Sequence, residues 1–215
     1  VEVVAPFGVA TGGPDGIIAF VEAKRDWIHK AVRRIDEHRG AGLKQRYIDG
    51  ARLLYRGRRV PLHIVASDVP RVQVAFDCCF RLLVPDALNE RERELAAREA
   101  LHEWMRERAI EDAVDLVQTY AAALGVRPTA VRLSTARTRW GSCNSKGAIR
   151  INWRLVQAPR EVMEYVAAHE VAHILVPNHS RRFWDTVASI MPDFRDRKSQ
   201  LRRWEREQLI EGRDL

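Results

Sequence analysis

Hydrophobic positions recur at helical spacing along three long stretches of this chain and alternate in short runs through two others. Val1-Glu2-Val3-Val4 reads as strand and Pro6 to Pro14 as glycine-rich loop. Asp15 is placed to cap a helix running to about His38, with Ile17, Phe20, Val21, Ile28, Val32 and Ile35 on its apolar face and Gly40 and Gly42 closing it. Four short apolar runs follow, Ala51-Tyr55, Val60-Ala66, Arg71-Phe76 and Cys79-Val84, punctuated by Gly57, Ser67 to Pro70, and Pro85. They predict a small antiparallel sheet, with the Cys78-Cys79 pair packed in a strand.

Asn89 with Glu92 three positions on has the form of a capping box. The helix it opens carries Leu95, Leu101, Met105, Ile110, Val114, Val117, Tyr120 and Leu124, a pattern that allows a break near Arg108, and Gly125 and Pro128 close it. Val131-Leu133 and Ala148-Asn152 read as strands around the turn Asn144 to Gly147. Helices are expected at Pro159-Val176, Ser180-Ile190 and Asp193 to about Ile210. The pattern is α+β, dividing near residue 89 into a β-rich N-terminal portion (1–88, a helix plus the small sheet) and a C-terminal half (89–215).

Composition narrows the class. With 46% hydrophobic and 30% charged residues over 215 positions, the chain is long enough for a sizeable core and not disordered in character. No apolar run approaches the roughly 20 residues of a membrane span, no secretory leader is visible, and a monomer without membrane attachment is expected. The cysteines, Cys78, Cys79 and Cys143, have neither disulfide-framework nor zinc-site spacing, so a reducing, cytoplasmic compartment is expected. Net charge is +7, carried mostly by arginine. A basic surface can engage nucleic acid, but interleaved Arg and Glu also describe solvated helix faces, and both readings stay open.

The chemistry concentrates in Tyr165-Val-Ala-Ala-His169-Glu170-Val-Ala-His173-Ile-Leu-Val-Pro-Asn-His179. Residues four apart share a helix face, so His169 and His173 can offer two imidazoles to one ion. Glu170 lies about 100° further round, placed to act on a water rather than to ligate. Pro177 is expected to end the helix at Val176, and Asn178 tolerates the left-handed conformation often needed by a turn of the kind that returns His179 as third ligand. Three protein ligands and one open position are the arrangement of catalytic zinc. Val162, Met163, Val166, Ala167, Val171 and Ile174 make this helix apolar over most of its circumference, and burial makes unpartnered ionisable groups costly. A metal supplies the partner. We therefore expect one Zn2+ per chain on His169, His173 and His179, with Glu170 as general base. Asp185 and Asp193 are candidates to orient the histidines.

A second set of residues extends this picture. Thr138-Arg139-Trp140-Gly141-Ser142-Cys143, Ile149-Arg-Ile-Asn152-Trp153-Arg-Leu, Ala158-Pro159, the His169 motif, Asn178-His179-Ser180 with Phe183-Trp184, and Met191-Pro192-Asp193 occur in that order. Together they resemble the YgjP-like metallopeptidase-domain family, related to the SprT and WLM zincins. The resemblance is dense over the second half and looser over the first. It implies a zincin-like core, a small sheet over an HExxH active-site helix, with the three histidines as ligands and Glu170 catalytic. It also implies two substrate classes, since the relatives are regarded as metallopeptidases and a metal-dependent nucleoside triphosphate pyrophosphatase activity has been proposed among them. The histidine spacing equals that of metzincins, but Val176 stands where those carry glycine.

Candidate substrate contacts follow. Extended peptides commonly add to a sheet edge beside a zincin helix, which here points to Ala148-Asn152 and so to Ile149, Ile151 and Asn152. Arg139 and Ser142 lie in the turn before it, where Arg139 could hold an oxyanion or a phosphate. Three functions are compatible: a metallopeptidase, a metal-dependent phosphoanhydride hydrolase acting on nucleotides, and a non-catalytic nucleic-acid module with structural zinc. Glu170 argues against the third, because a closed structural site has no use for a base. The absence of any phosphate-cradling glycine motif leans toward polypeptide over nucleotide.

Overall fold

A computed structural model describes residues 45–210 together with Glu22, Lys24 and Arg25. The strand expected at Val1-Val4, the loop to Pro14 and the helix from Asp15 to His38 lie outside the described residues. The chain divides into two compact units, one of residues 1–44 with 208–214, the other of residues 45–207 with Leu215. Both the β-rich segment and the histidine motif fall inside the second unit.

Four strands open this unit: β1 (Arg52–Tyr55), β2 (Arg58–Ser67), β3 (Gln73–Phe76) and β4 (Phe80–Pro85). Their order is β1-β2-β4-β3. The sheet is mixed rather than antiparallel: the β3–β4 hairpin folds back so that β4 lies parallel to β2, while β1–β2 and β3–β4 are antiparallel. Cys78 and Cys79 sit in the three-residue loop between Phe76 and Phe80, not in a strand.

Helix α1 (Glu90–Leu124) is continuous through Arg108. Its capping box is present in full, with the Asn89 side chain accepting from the Glu92 amide and the Glu92 carboxylate accepting from the Asn89 amide. Gly125 ends it in the left-handed region at φ 66°. Buried positions fall every four residues, from Ala97 through Leu101, Met105, Ala109, Ala113 and Val117 to Ala121. The first four of these pack with Leu62, Phe80, Leu82 and Val84 of the four-stranded sheet, and the last three join the core around the histidine helix. One helix thus serves two cores.

That second core holds a three-stranded sheet and three helices. The strands are β5 (Ala130–Ser134), β6 (Gly141–Cys143) and β7 (Ala148–Asn152), in the order β5-β7-β6. A 3-10 turn (Trp153–Gln157) leads into α2 (Arg160–Ala172), followed by α3 (Arg181–Ile190) and α4 (Phe194–Ile210). Among the described residues no helix is long and apolar enough to cross a membrane.

Two attachments position α2. The β1–β2 hairpin turns through Arg56 (φ 46°) and Gly57 (φ 75°), the two-residue turn with both central residues left-handed. Its amides donate to the Val156 and Gln157 carbonyls, each at 2.9 Å. Gly57 abuts Pro159 so closely that a Cβ there would lie 2.9 Å from the proline Cγ. On the other side, Arg160 pairs with Asp112 and Asp115 of α1, and Arg197 of α4 pairs with Glu164.

Candidate metal centre

Helix α2 is buried on nearly every side, through Val162, Met163, Tyr165, Val166, Ala167, Ala168, Val171 and Ala172. It ends at Ala172, four residues before the expected stop, and His173 is its C-cap. The amides of Ile174 and Leu175 then accept tighter spacing, donating to Val171 and Ala172. Asn178 is not left-handed; among the described non-glycine residues only Arg56 has positive φ. Instead its side-chain oxygen accepts from the Ser180 amide at 3.2 Å, and this local turn brings His179 back over α2.

The three imidazoles meet. His169 Nε2 is 3.2 Å from His173 Nε2 and 3.0 Å from His179 Nε2, and ligand atoms of all three lie within 4.8 Å of one another. The His173 tautomer follows from its surroundings: Nδ1 lies 3.1 Å from the Val176 carbonyl, which can only accept, so Nδ1 carries the proton and Nε2 presents a lone pair. Burial, then the neighbouring His173 and His179, pushes His169 down to about 3, and burial likewise lowers His173. These rings are neutral near pH 7, the form that binds metal.

Aromatic side chains hold the rings in place. Phe183, fully buried on α3, stacks on His173 at 4.4 Å between centroids, and Trp184 lies nearly parallel to His179 at 5.8 Å. Phe194 stacks on Trp184, and Lys198 Nζ sits 4.1 Å from the centre of the same indole. Asp185 and Asp193 do not orient the histidines: they pair with Arg181 and Arg197. For His173 the orienting acceptor is the Val176 carbonyl, a backbone role that residue identities do not announce.

Glu170 is 6% exposed. Burial pushes its carboxyl up to about 7, against the pull of Arg139. Gly141 of β6 lies directly against it: a Cβ at Gly141 would be 2.5 Å from Glu170 Oε1 and 2.6 Å from its Cγ. Cys143, two residues on, is held as the thiol by burial and by Glu170. A cleft of about 690 Å³ opens over the histidines and Glu170, with Arg127, Gly141, Ser142 and Lys146 also on its wall.

The expected substrate strand is corrected by the topology. β7 is the middle strand, parallel to β5 and antiparallel to β6, so it offers no free edge. Ile149 and Ile151 are fully buried core residues. Asn152, 2% exposed, donates to the Ala136 and Arg139 carbonyls and accepts from the Arg154 amide, which fixes the loop before β6. The edge strand on the cleft is β6, expected only as a turn, because Gly-Ser-Cys has no apolar alternation to signal a strand. Ser142 lies on the wall of the cleft, and Arg139, in the loop before β6, is near enough to Glu170 to pull its carboxyl down. Trp140 is anchored to α4 by its indole N–H to the Glu205 carboxylate and by packing on Trp204.

The donor set fits zinc. At the usual Zn–N length of about 2.0–2.1 Å, tetrahedral geometry separates ligand nitrogens by about 3.3 Å, close to the two Nε2 separations given above. Three imidazoles without a carboxylate or thiolate suit a divalent transition metal better than calcium or magnesium, which favour oxygen.

Fold and site thus define a mixed α+β protein with a three-histidine cluster and a buried glutamate on the floor of an open cleft. The chain belongs to the YgjP-like, metallopeptidase domain family, whose model matches residues 1–204. No curated protein matches it. Among solved structures it is similar to the metallopeptidase zymogen of Pyrococcus abyssi abylysin, at 25% identity and a TM-score of 0.40 over 44% of this chain and 93% of that one.

Proposed function

We propose that this chain is a zinc-dependent peptidase in which His169, His173 and His179 hold the metal and Glu170 is the general base. The observation that carries the reading is the convergence of three imidazole nitrogens beside a buried carboxylate. Bound zinc would act as a Lewis acid, lowering the pKa of water and polarising an amide carbonyl. Glu170, raised toward neutrality by burial, accepts the proton of the attacking water and delivers it to the leaving amine. Gly141 keeps the space that this carboxylate occupies.

β6 is suited to present the substrate. Trp140 and Asn144 direct their backbone groups to β7, through Asn152 N–H to Trp140 O and Asn144 N–H to Ala148 O. Ladder alternation therefore turns the backbone groups of Gly141 and Cys143 toward the free edge. An extended polypeptide can pair with them and lie along the cleft, the strand-addition mode expected of the sheet edge beside α2.

The test is a panel of denatured polypeptides and nucleoside triphosphates, each with zinc, manganese or magnesium. Metal-dependent cleavage of polypeptide is expected. Turnover of nucleotides alone would replace the peptidase reading with a phosphoanhydride hydrolase on the same histidines.

A further inference from the structure

Charge is unevenly spread along this chain. Residues 116–160 contain eight Lys and Arg and no Asp or Glu. The whole protein carries +7, so the remaining residues together come to −1. The basic character of the protein therefore resides in the segment that builds the three-stranded sheet and one wall of the cleft.

Within this segment Arg160 is paired with Asp112, Asp115 and Glu164, but five other cations are not paired. Arg46, Arg56, Arg81, Arg106, Arg108 and Arg197 each pair with a carboxylate. Among the described residues Arg127, Arg132, Arg137, Arg150 and Lys146 are exposed and in no ion pair. Arg127 and Lys146 line the same cleft as His169 and Glu170. Arg132, Arg150 and Ser142 are register partners across β5, β7 and β6, so their side chains form one row on the sheet face opposite buried Ile149 and Ile151.

From this arrangement we infer that the β6 edge, with the cleft on one face and the arginine row on the other, selects polypeptides rich in acidic residues, a specificity that rests on the peptidase reading above. A strand added to β6 through Gly141 and Cys143 places one of its residues opposite Ser142, at a close, non-hydrogen-bonded position. That side chain continues the row of Ser142, Arg150 and Arg132. Its Cα lies roughly 10 Å from that of Arg150, summing one close and one hydrogen-bonded strand pair. Serine is too short to intervene, and an extended arginine and a glutamate together span that gap. Residues further along meet Arg127 and Lys146. Single-stranded nucleic acid fits less well, because it requires aromatic faces for its bases. Here Trp153 is buried and Trp140 is committed to Trp204 and Glu205.

Zinc-loaded Glu170→Gln protein provides the test, since binding is then read without turnover. Three fluorescent peptides of equal length, acidic, uncharged and basic, are titrated at low and moderate salt, beside a single-stranded DNA of the same charge as the acidic peptide. The acidic peptide should bind at least about tenfold more tightly than the uncharged one at low salt and lose that advantage as salt rises. Arg132→Glu with Arg150→Glu should weaken acidic-peptide binding roughly tenfold and favour the basic peptide, because two exposed charges are reversed. Equal affinity for all three peptides overturns the inference, as does an unchanged order in the double variant. DNA that binds more tightly than the acidic peptide and displaces it assigns the surface to nucleic acid instead. Wild-type protein that binds the acidic peptide but cleaves no peptide at all removes the peptidase reading and leaves the binding preference standing.

Discussion

Gly141 and Glu170 occupy adjoining space: the hydrogen of one residue is all that separates the β6 backbone from the carboxylate of the other. The Trp-Gly-Ser-Cys segment and the histidine motif, 29 positions apart as Gly141 and Glu170 are numbered, are therefore parts of one site. Gly141→Ala should displace the carboxylate. Displacement of a catalytic group by about 1 Å costs on the order of a hundredfold in turnover. Metal content, set by the histidines, should be unchanged, as elemental analysis alongside peptidase assay would establish. Full activity in the variant would mean that Glu170 is not where the reaction takes its proton.

His179 differs from the other two histidines in being exposed and in lying beyond the turn that follows α2. His179→Ala should weaken zinc binding by more than the roughly 10–100-fold that follows loss of a supporting partner. Competition with a chromophoric chelator measures this. The thermal stabilisation given by added zinc should shrink in parallel, because ligand binding to the native state is what raises it. An unaltered zinc affinity would exclude His179 from the ligand set.

Most of the scaffold was legible in the sequence. The capping box at Asn89 and Glu92, Gly125 beyond α1, and the helical spacing of α2, α3 and α4 are local signals, and each marks the observed element within a few residues. The His169, His173 and His179 cluster was legible for the same reason, since spacing on a helix and a following turn are also local. Sheet topology was not. Nothing in Ala148-Asn152 distinguishes a middle strand from an edge, because that depends on β5 pairing along one side of it and on three residues with no apolar alternation forming β6 on the other. The parallel pairing of β2 with β4 is hidden for a similar reason. So was the contact of Gly141 with Glu170, which exists only once β6 lies over α2.

Gly57 joins the four-stranded sheet to the entrance of α2. Its φ of 75° is strained for any side chain, and a Cβ would press on Pro159. Gly57→Ala should lower stability by about 1–3 kcal/mol, read as a reduced midpoint in urea without change in slope. A variant as stable as wild type would show that this hairpin does not brace α2.

His102 gives the protein a pH dependence away from the metal centre. It packs against Trp153, meets the Tyr47 hydroxyl at 2.8 Å, and has Arg98, Arg106 and Arg154 around it. Burial, reinforced by these arginines, lowers it to about 4 from its usual 6.5. Between those values the unfolded chain binds a proton that the folded protein does not, so stability rises with pH across this window and is lost as pH falls from about 6.5 toward 4. His102→Asn should flatten that part of the profile, measured as melting temperature against pH in both proteins. Identical slopes would place the acid sensitivity elsewhere.

The division of labour between Glu170 and the three histidines is the centre of the account, and Glu170→Gln tests it most directly. Glutamine preserves the size and hydrogen bonding of a side chain packed against Gly141 but cannot accept a proton as a base. Zinc content and melting temperature should stay at wild-type values, while turnover of polypeptide falls by at least about a hundredfold, the usual worth of general base catalysis. Retained turnover would place the base elsewhere, and loss of zinc as complete as in His179→Ala would make Glu170 a ligand; either result contradicts the mechanism.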